Sequence, residues 1–139
     1  MSKLTSAVAD RVTDESADPA EDRSRLLMAG GLVAMGVLHF VVPRPFEKIV
    51  PRWIPWRRGA VLWSGVAEVA AGTLLAVPRT RRAGGWLAAA TIVAVYPANV
   101  QMAIDTTRNP EAGRLATAAT WLRLPMQLPM VLRALRFTR

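Results

Sequence analysis

The chain has 139 residues, 52% of them hydrophobic, and carries eighteen Lys and Arg against ten Asp and Glu for a net charge of +8. That combination describes apolar blocks joined by basic connectors in a single domain. The cations flank apolar stretches, which suits anionic lipid headgroups and makes no case for nucleic acid. Cysteine is absent, so disulfides, thiol exchange, iron-sulfur ligation and covalent haem attachment are excluded.

Residues Met1 to Arg25 hold six acidic and four basic side chains among Ser, Thr and Ala. With too few large apolar groups to bury, this segment reads as a disordered polar tail. It lacks the basic-then-apolar order of a signal peptide. From Leu26 to Val42 no charge occurs, and the run stops at Pro43. Its length sits at the lower limit for about 30 Å of hydrocarbon.

Pro43 to Arg58 follows as a connector. Phe46, Ile49, Val50, Trp53 and Ile54 recur at helical spacing, with Arg44, Lys48 and Arg52 on another face. The pattern suits a membrane surface. Pro45, Pro51 and Pro55 argue against one continuous helix. Trp53 and Trp56 beside Arg57 and Arg58 have the make-up of an interfacial anchor.

The second apolar run, Gly59 to Val77, has one charge, Glu68, and ends at Pro78. The third, Ala83 to Ile104, has none and is interrupted by Pro97. Three such runs leave little polar material to cover them in water, so membrane insertion is the expectation. The fourth, Leu115 to Leu132, contains Thr117, Thr120, Arg123 and Gln127 together with Pro125 and Pro129. Such residues are tolerable facing other helices or a wet cavity. The expected fold is therefore all-α: a four-helix transmembrane bundle over residues 26–139, with a Pro-rich amphipathic connector between its first two helices.

Orientation is nearly balanced, with eight cations on the tail's side and seven on the other. A charged tail without a signal peptide favours both termini in the cytoplasm, in a multi-pass protein of the inner (cytoplasmic) membrane.

Polar groups inside these spans are the candidate site. Glu68 lies nine residues beyond Gly59, and Arg123 nine beyond Arg114, entering from the same side. At about 1.5 Å per residue both fall near the midplane. An ionised side chain there costs on the order of 3 kcal/mol, so pairing the two is the economical expectation. Ser64, Gly65, Ala71 and Gly72 share the face of Glu68, which should point inward.

His39 and Asn99 lie at similar depth near the connector, where Tyr96 and Ser64 complete a candidate cavity mouth. A solitary His most often completes a hydrogen bond, and one His without a carboxylate cluster makes neither a metal nor a bis-histidine haem site. Pro97 leaves the carbonyl of Val93 without its helical partner, and Pro125 does so for Trp121. Thr120, Arg123 and Gln127 form one polar stripe facing the interior. The six Met residues show no ligand-like grouping and read as apolar filler.

Several segments carry a family resemblance: Gly36-Val-Leu-His-Phe-Val-Val-Pro43, Ser64-Gly-Val-Ala-Glu68 with Gly72, Pro78-Arg-Thr-Arg81, Pro97-Ala-Asn99 and Arg123-Leu-Pro-Met-Gln127. In their order the chain resembles the uncharacterised branch of the DoxX-like family of small four-helix bacterial membrane proteins. The resemblance implies a four-helix fold and an association with quinone-linked or redox-stress complexes. The first functional expectation is a noncatalytic subunit that binds a lipophilic small molecule, a quinone being one candidate, or docks an oxidoreductase partner. His39, Ser64, Glu68, Tyr96, Asn99, Arg123 and Gln127 would supply its polar contacts. A small proton-coupled transporter, requiring a homo-oligomer, and a purely structural membrane protein are the alternatives.

Overall fold

The computed structural model describes residues 18–139, and no β-strand occurs among them. Residues 1–17 of the expected tail lie outside the described residues. Helix α1, Pro19–Val41, starts well before Leu26, so residues 19–25, expected in the tail, are helical. The reason is local. The Asp18 side chain accepts the Ala20 N–H at 3.0 Å, Pro19 occupies the first turn, and Glu21 and Asp22 face the positive helix end.

The connector divides as its prolines require. Pro43 opens the short helix α2, Pro43–Ile49, where a missing amide costs nothing. Val50, held extended (φ −65°, ψ 130°) before Pro51, closes it. Irregular chain then leads to α3, Arg57–Ala76. Val50 and Pro51 turn inward, while Arg44, Lys48 and Arg52 stay exposed.

A 3₁₀ turn at Pro78–Thr80 leads into α4, Arg81–Ala94, and α5, Tyr96–Arg108, follows after a break at Val95. Helix α6, Arg114–Arg136, continues through Pro125 and Pro129. Three stretches are long and apolar enough to cross a membrane: α1, α3 and the run Pro78–Arg108, which takes in the 3₁₀ turn, α4 and α5. That is the make-up of a membrane protein.

Neighbouring helices pack in sequence: α1 on α3, α3 on α4, α4 on α6, and α5 on α6, with α2 lying across α3 and α5. Small residues set these contacts. A Cβ added to Gly36 would lie 2.7 Å from the Gly65 carbonyl oxygen, and one on Gly72 would lie 2.6 Å from that of Ala29. Backbones this close maximise dispersion contact without large side chains, the usual device where lipid supplies no hydrophobic drive. The small face of α3 expected to point inward does so: Gly65, Glu68, Ala71 and Gly72 are buried.

The buried cluster of Ala29, Leu32, Ala71, Leu75, Ala88, Ala89, Ala134 and Phe137 occupies the end away from the connector. There, Arg25 is buried and donates to the carbonyls of Leu75 and Ala76, the latter at 3.0 Å, while its guanidinium pairs with Asp22 at 3.1 Å. The Thr80 hydroxyl donates to Leu74 O at 2.8 Å. The last turn of α3, which has no amides ahead of it, thus finds its donors in α1 and the 3₁₀ turn. Large apolar side chains such as Leu27, Phe40, Trp63, Trp86 and Leu122 point outward.

Gly72→Ala should destabilise the detergent-extracted protein by about 2 kcal/mol, the usual cost of overpacking. Gly30→Ala, with nothing within 4 Å of the new methyl, should leave the thermal unfolding midpoint unchanged or raise it.

Candidate functional site: a polar-walled cavity at the connector end

Opposite the packed end, α1, α2, the chain before α3, α3 itself and the α4–α5 break line a half-open cavity of about 530 Å³, with Arg123 of α6 on its wall. Close glycine packing of α1 on α3 continues beside this space: a Cβ added to Gly65 would lie 2.9 Å from the His39 Cβ.

His39 reaches the cavity from the last turn of α1. Its Nδ1 lies 2.7 Å from the Met35 carbonyl oxygen; a carbonyl only accepts, so Nδ1 carries the hydrogen. The ring stacks on Phe46 of α2, centroids 4.0 Å apart and planes inclined by 23°. Glu68, on the buried face of α3, places Oε2 3.4 Å from that same Nδ1. The hydrogen is already directed to Met35, and Oε2 is buried with no hydrogen-bond partner.

The expected pairing of Glu68 with Arg123 is therefore corrected. Both line one cavity, yet the ion pairs closer than 4.0 Å among the described residues are Arg25–Asp22 and His39–Glu68. Counting residues gave the depth of Arg123 but not its bearing around α6. Arg123 is exposed, and the basic side chain within 4.0 Å of the carboxylate is His39.

Asn99 is buried one turn into α5, just after the break at Val95, and lines the cavity. Ser64 lines the wall and donates to Val61 O at 3.2 Å. Two expected contacts are elsewhere: Tyr96 is 42% exposed, and neither it nor Gln127 is on the cavity wall. Gln127 is buried and donates to Ile92 O at 3.3 Å. It serves a carbonyl at the helix break, one residue before the Val93 position singled out from Pro97.

Residues not anticipated also line the cavity, among them Phe46, Thr91, Met35 and Met102. Met35 stands one turn before His39 on the same face, a spacing that signals it. Phe46 had no such signal, because its placement depends on how the connector folds back. The Thr91 hydroxyl donates to Leu87 O at 2.7 Å. Among the described residues no three His, Asp or Glu side chains gather into a metal-binding group.

The array can hold an apolar body and offer it a few convergent polar groups, the ordinary composition of a small-molecule site. In double-mutant cycles on thermal stability, His39→Ala with Glu68→Gln should show coupling of about 1 kcal/mol, and Glu68→Gln with Arg123→Gln less than about 0.5 kcal/mol. The reverse order would restore the Arg123 pairing.

No curated protein and no solved structure matches the chain. A family profile does, the domain of unknown function DUF8561, over residues 28–138, from the first turns of α1 to the end of α6. The match takes in every residue of the cavity wall and most of the chain, and the protein belongs to the DUF8561 family.

Proposed function

We propose that the chain is a multi-pass protein of the inner membrane, a four-helix bundle and noncatalytic subunit whose cavity binds a lipophilic small molecule, such as a quinone, or which docks an oxidoreductase partner. The observation that carries this reading is the cavity of about 530 Å³ with apolar walls and Glu68, Asn99, His39 and Arg123 upon it. Its size falls within the range of small-ligand sites.

Helix α6 completes the bundle as the fourth span. Its 23 residues reach roughly 34 Å at the α-helical rise, enough for a bilayer core. Its polar members have inward tasks: Gln127 bonds Ile92, and Arg123 lines the cavity. Trp53 and Trp56, both strongly exposed, sit at headgroup depth beside Arg57 and Arg58. The DoxX-like resemblance suggests the quinone; the apolar walls support a lipophilic ligand in general.

Proton-coupled transport is the second reading, favoured by the unpartnered Glu68 oxygen and by the break at Val95. Broken helices beside a buried carboxylate recur in transporters. Substrate-driven proton uptake into liposomes would support it against simple binding.

Native mass spectrometry of protein extracted in mild detergent should reveal one lipophilic molecule per chain. Ala98→Trp, which fills the cavity, should reduce occupancy at least tenfold while leaving the fold intact by circular dichroism. An empty wild-type protein that also fails to take up an added short-tailed quinone in both its oxidised and its reduced, hydroxyl-bearing form would overturn the binding role. Reporter fusions at Met1 and Arg139 should both register the cytoplasm; opposite faces would sink the four-span arrangement.

A further inference from the structure

We propose that the cavity selects a neutral head group bearing a hydroxyl, a phenol, hydroquinone or alcohol on an apolar body, and seats that hydroxyl against Glu68. The inference rests on the binding role proposed above and names the chemistry of the ligand's polar end.

The argument is a balance of donors and acceptors. The Glu68 side chain is 8% exposed, and its Oε2 has no donor. The nearest N–H, on His39, is directed to Met35 O. The hydroxyls of Ser64 and Thr91 spend their hydrogens on the carbonyls of Val61 and Leu87. The wall around Glu68 therefore has acceptors to spare, and its uncommitted side-chain donors among the described residues, the Asn99 amide, the Arg123 guanidinium and the Trp53 indole N–H, make no hydrogen bond to Oε2. A buried acceptor left unpaired is costly, so the missing hydrogen must come from the occupant.

Charge narrows the class. A cationic head is drawn to Glu68 but repelled by Arg123, and an anionic head the reverse, so on a wall that carries both signs a full charge gains little. A neutral head avoids both. Among neutral heads, a carbonyl offers no hydrogen and meets Glu68 only when the carboxyl is itself protonated. A hydroxyl both donates and accepts, so it serves Glu68 in either state and leaves its own lone pairs for Asn99. The remaining walls, Met35, Phe46, Met102 and Trp53 among them, suit a ring or chain of carbon.

The test is a competition on the wild-type protein in detergent between 4-dodecylphenol and its methyl ether, a pair of closely similar partitioning that differs in one donor hydrogen. Native mass spectrometry counts each bound species per chain. The phenol should occupy the cavity at least tenfold more tightly, equivalent to about 1.4 kcal/mol, and Glu68→Gln, whose amide supplies a hydrogen of its own, should bring the ratio near one. Equal binding of both probes to the wild type, each lost in Ala98→Trp, would overturn the hydroxyl selectivity while the lipophilic binding role stands. Binding of neither would overturn both. A ratio that persists in a folded Glu68→Gln variant would remove Glu68 as the acceptor and reject the assignment.

Discussion

Everything else in the molecule depends on how closely α1 approaches α3. Gly36, Gly65 and Gly72 let the two backbones come within reach of each other's carbonyl oxygens, a separation that no side chain larger than hydrogen permits. In lipid, where apolar side chains gain little by meeting one another, such backbone contact is a main source of helix association. The packed end of alanines and Leu75 follows from it. So does the hollow end: two helices clamped together cannot also fill the space under the connector, and α6 reaches that space through Arg123.

The cavity is thus a product of mismatch between a tight seam and a broken helix. The interruption at Val95 stands one turn before Asn99 on the wall, and Gln127 bonds the Ile92 carbonyl beside it. Helix interruptions deep in a membrane protein survive where neighbouring side chains satisfy the backbone they release. Here that neighbour is on α6, so the shape of the cavity and the position of the last helix are tied together. The Trp121 indole, which donates to Thr107 Oγ1 at 2.8 Å, adds a second tie between α5 and α6.

Much of this was legible in the sequence because membrane spans are written in long, uncharged runs. The limits of α3, the division of the connector by Pro51, the break near Pro97 and the inward face of Glu68 all follow from hydropathy, proline and helical spacing. What residue counting measures is distance along an axis. It put His39, Glu68, Asn99 and Arg123 at depths that do share one cavity, but it carries no information on rotation about each helix or on which helices touch. Hence depth alone pairs Glu68 with Arg123 although His39 stands nearer, and puts Tyr96 at a mouth it does not line. The early start of α1 escaped for another reason: Arg25 is a charged residue in a charged segment, and only the partner carbonyls of α3 make its burial favourable.

That bond between the first helix and the end of the second long one bears on how the chain is made. Every group it needs, from Asp22 and Arg25 to Leu74, Leu75, Ala76 and Thr80, lies within the first eighty residues. Chains acquire structure from the N-terminus during synthesis, so this hairpin can close while the remaining helices are still in the ribosome. The later segments then meet a finished surface, and the hollow end takes its form last, as α5 and α6 arrive to wall it in.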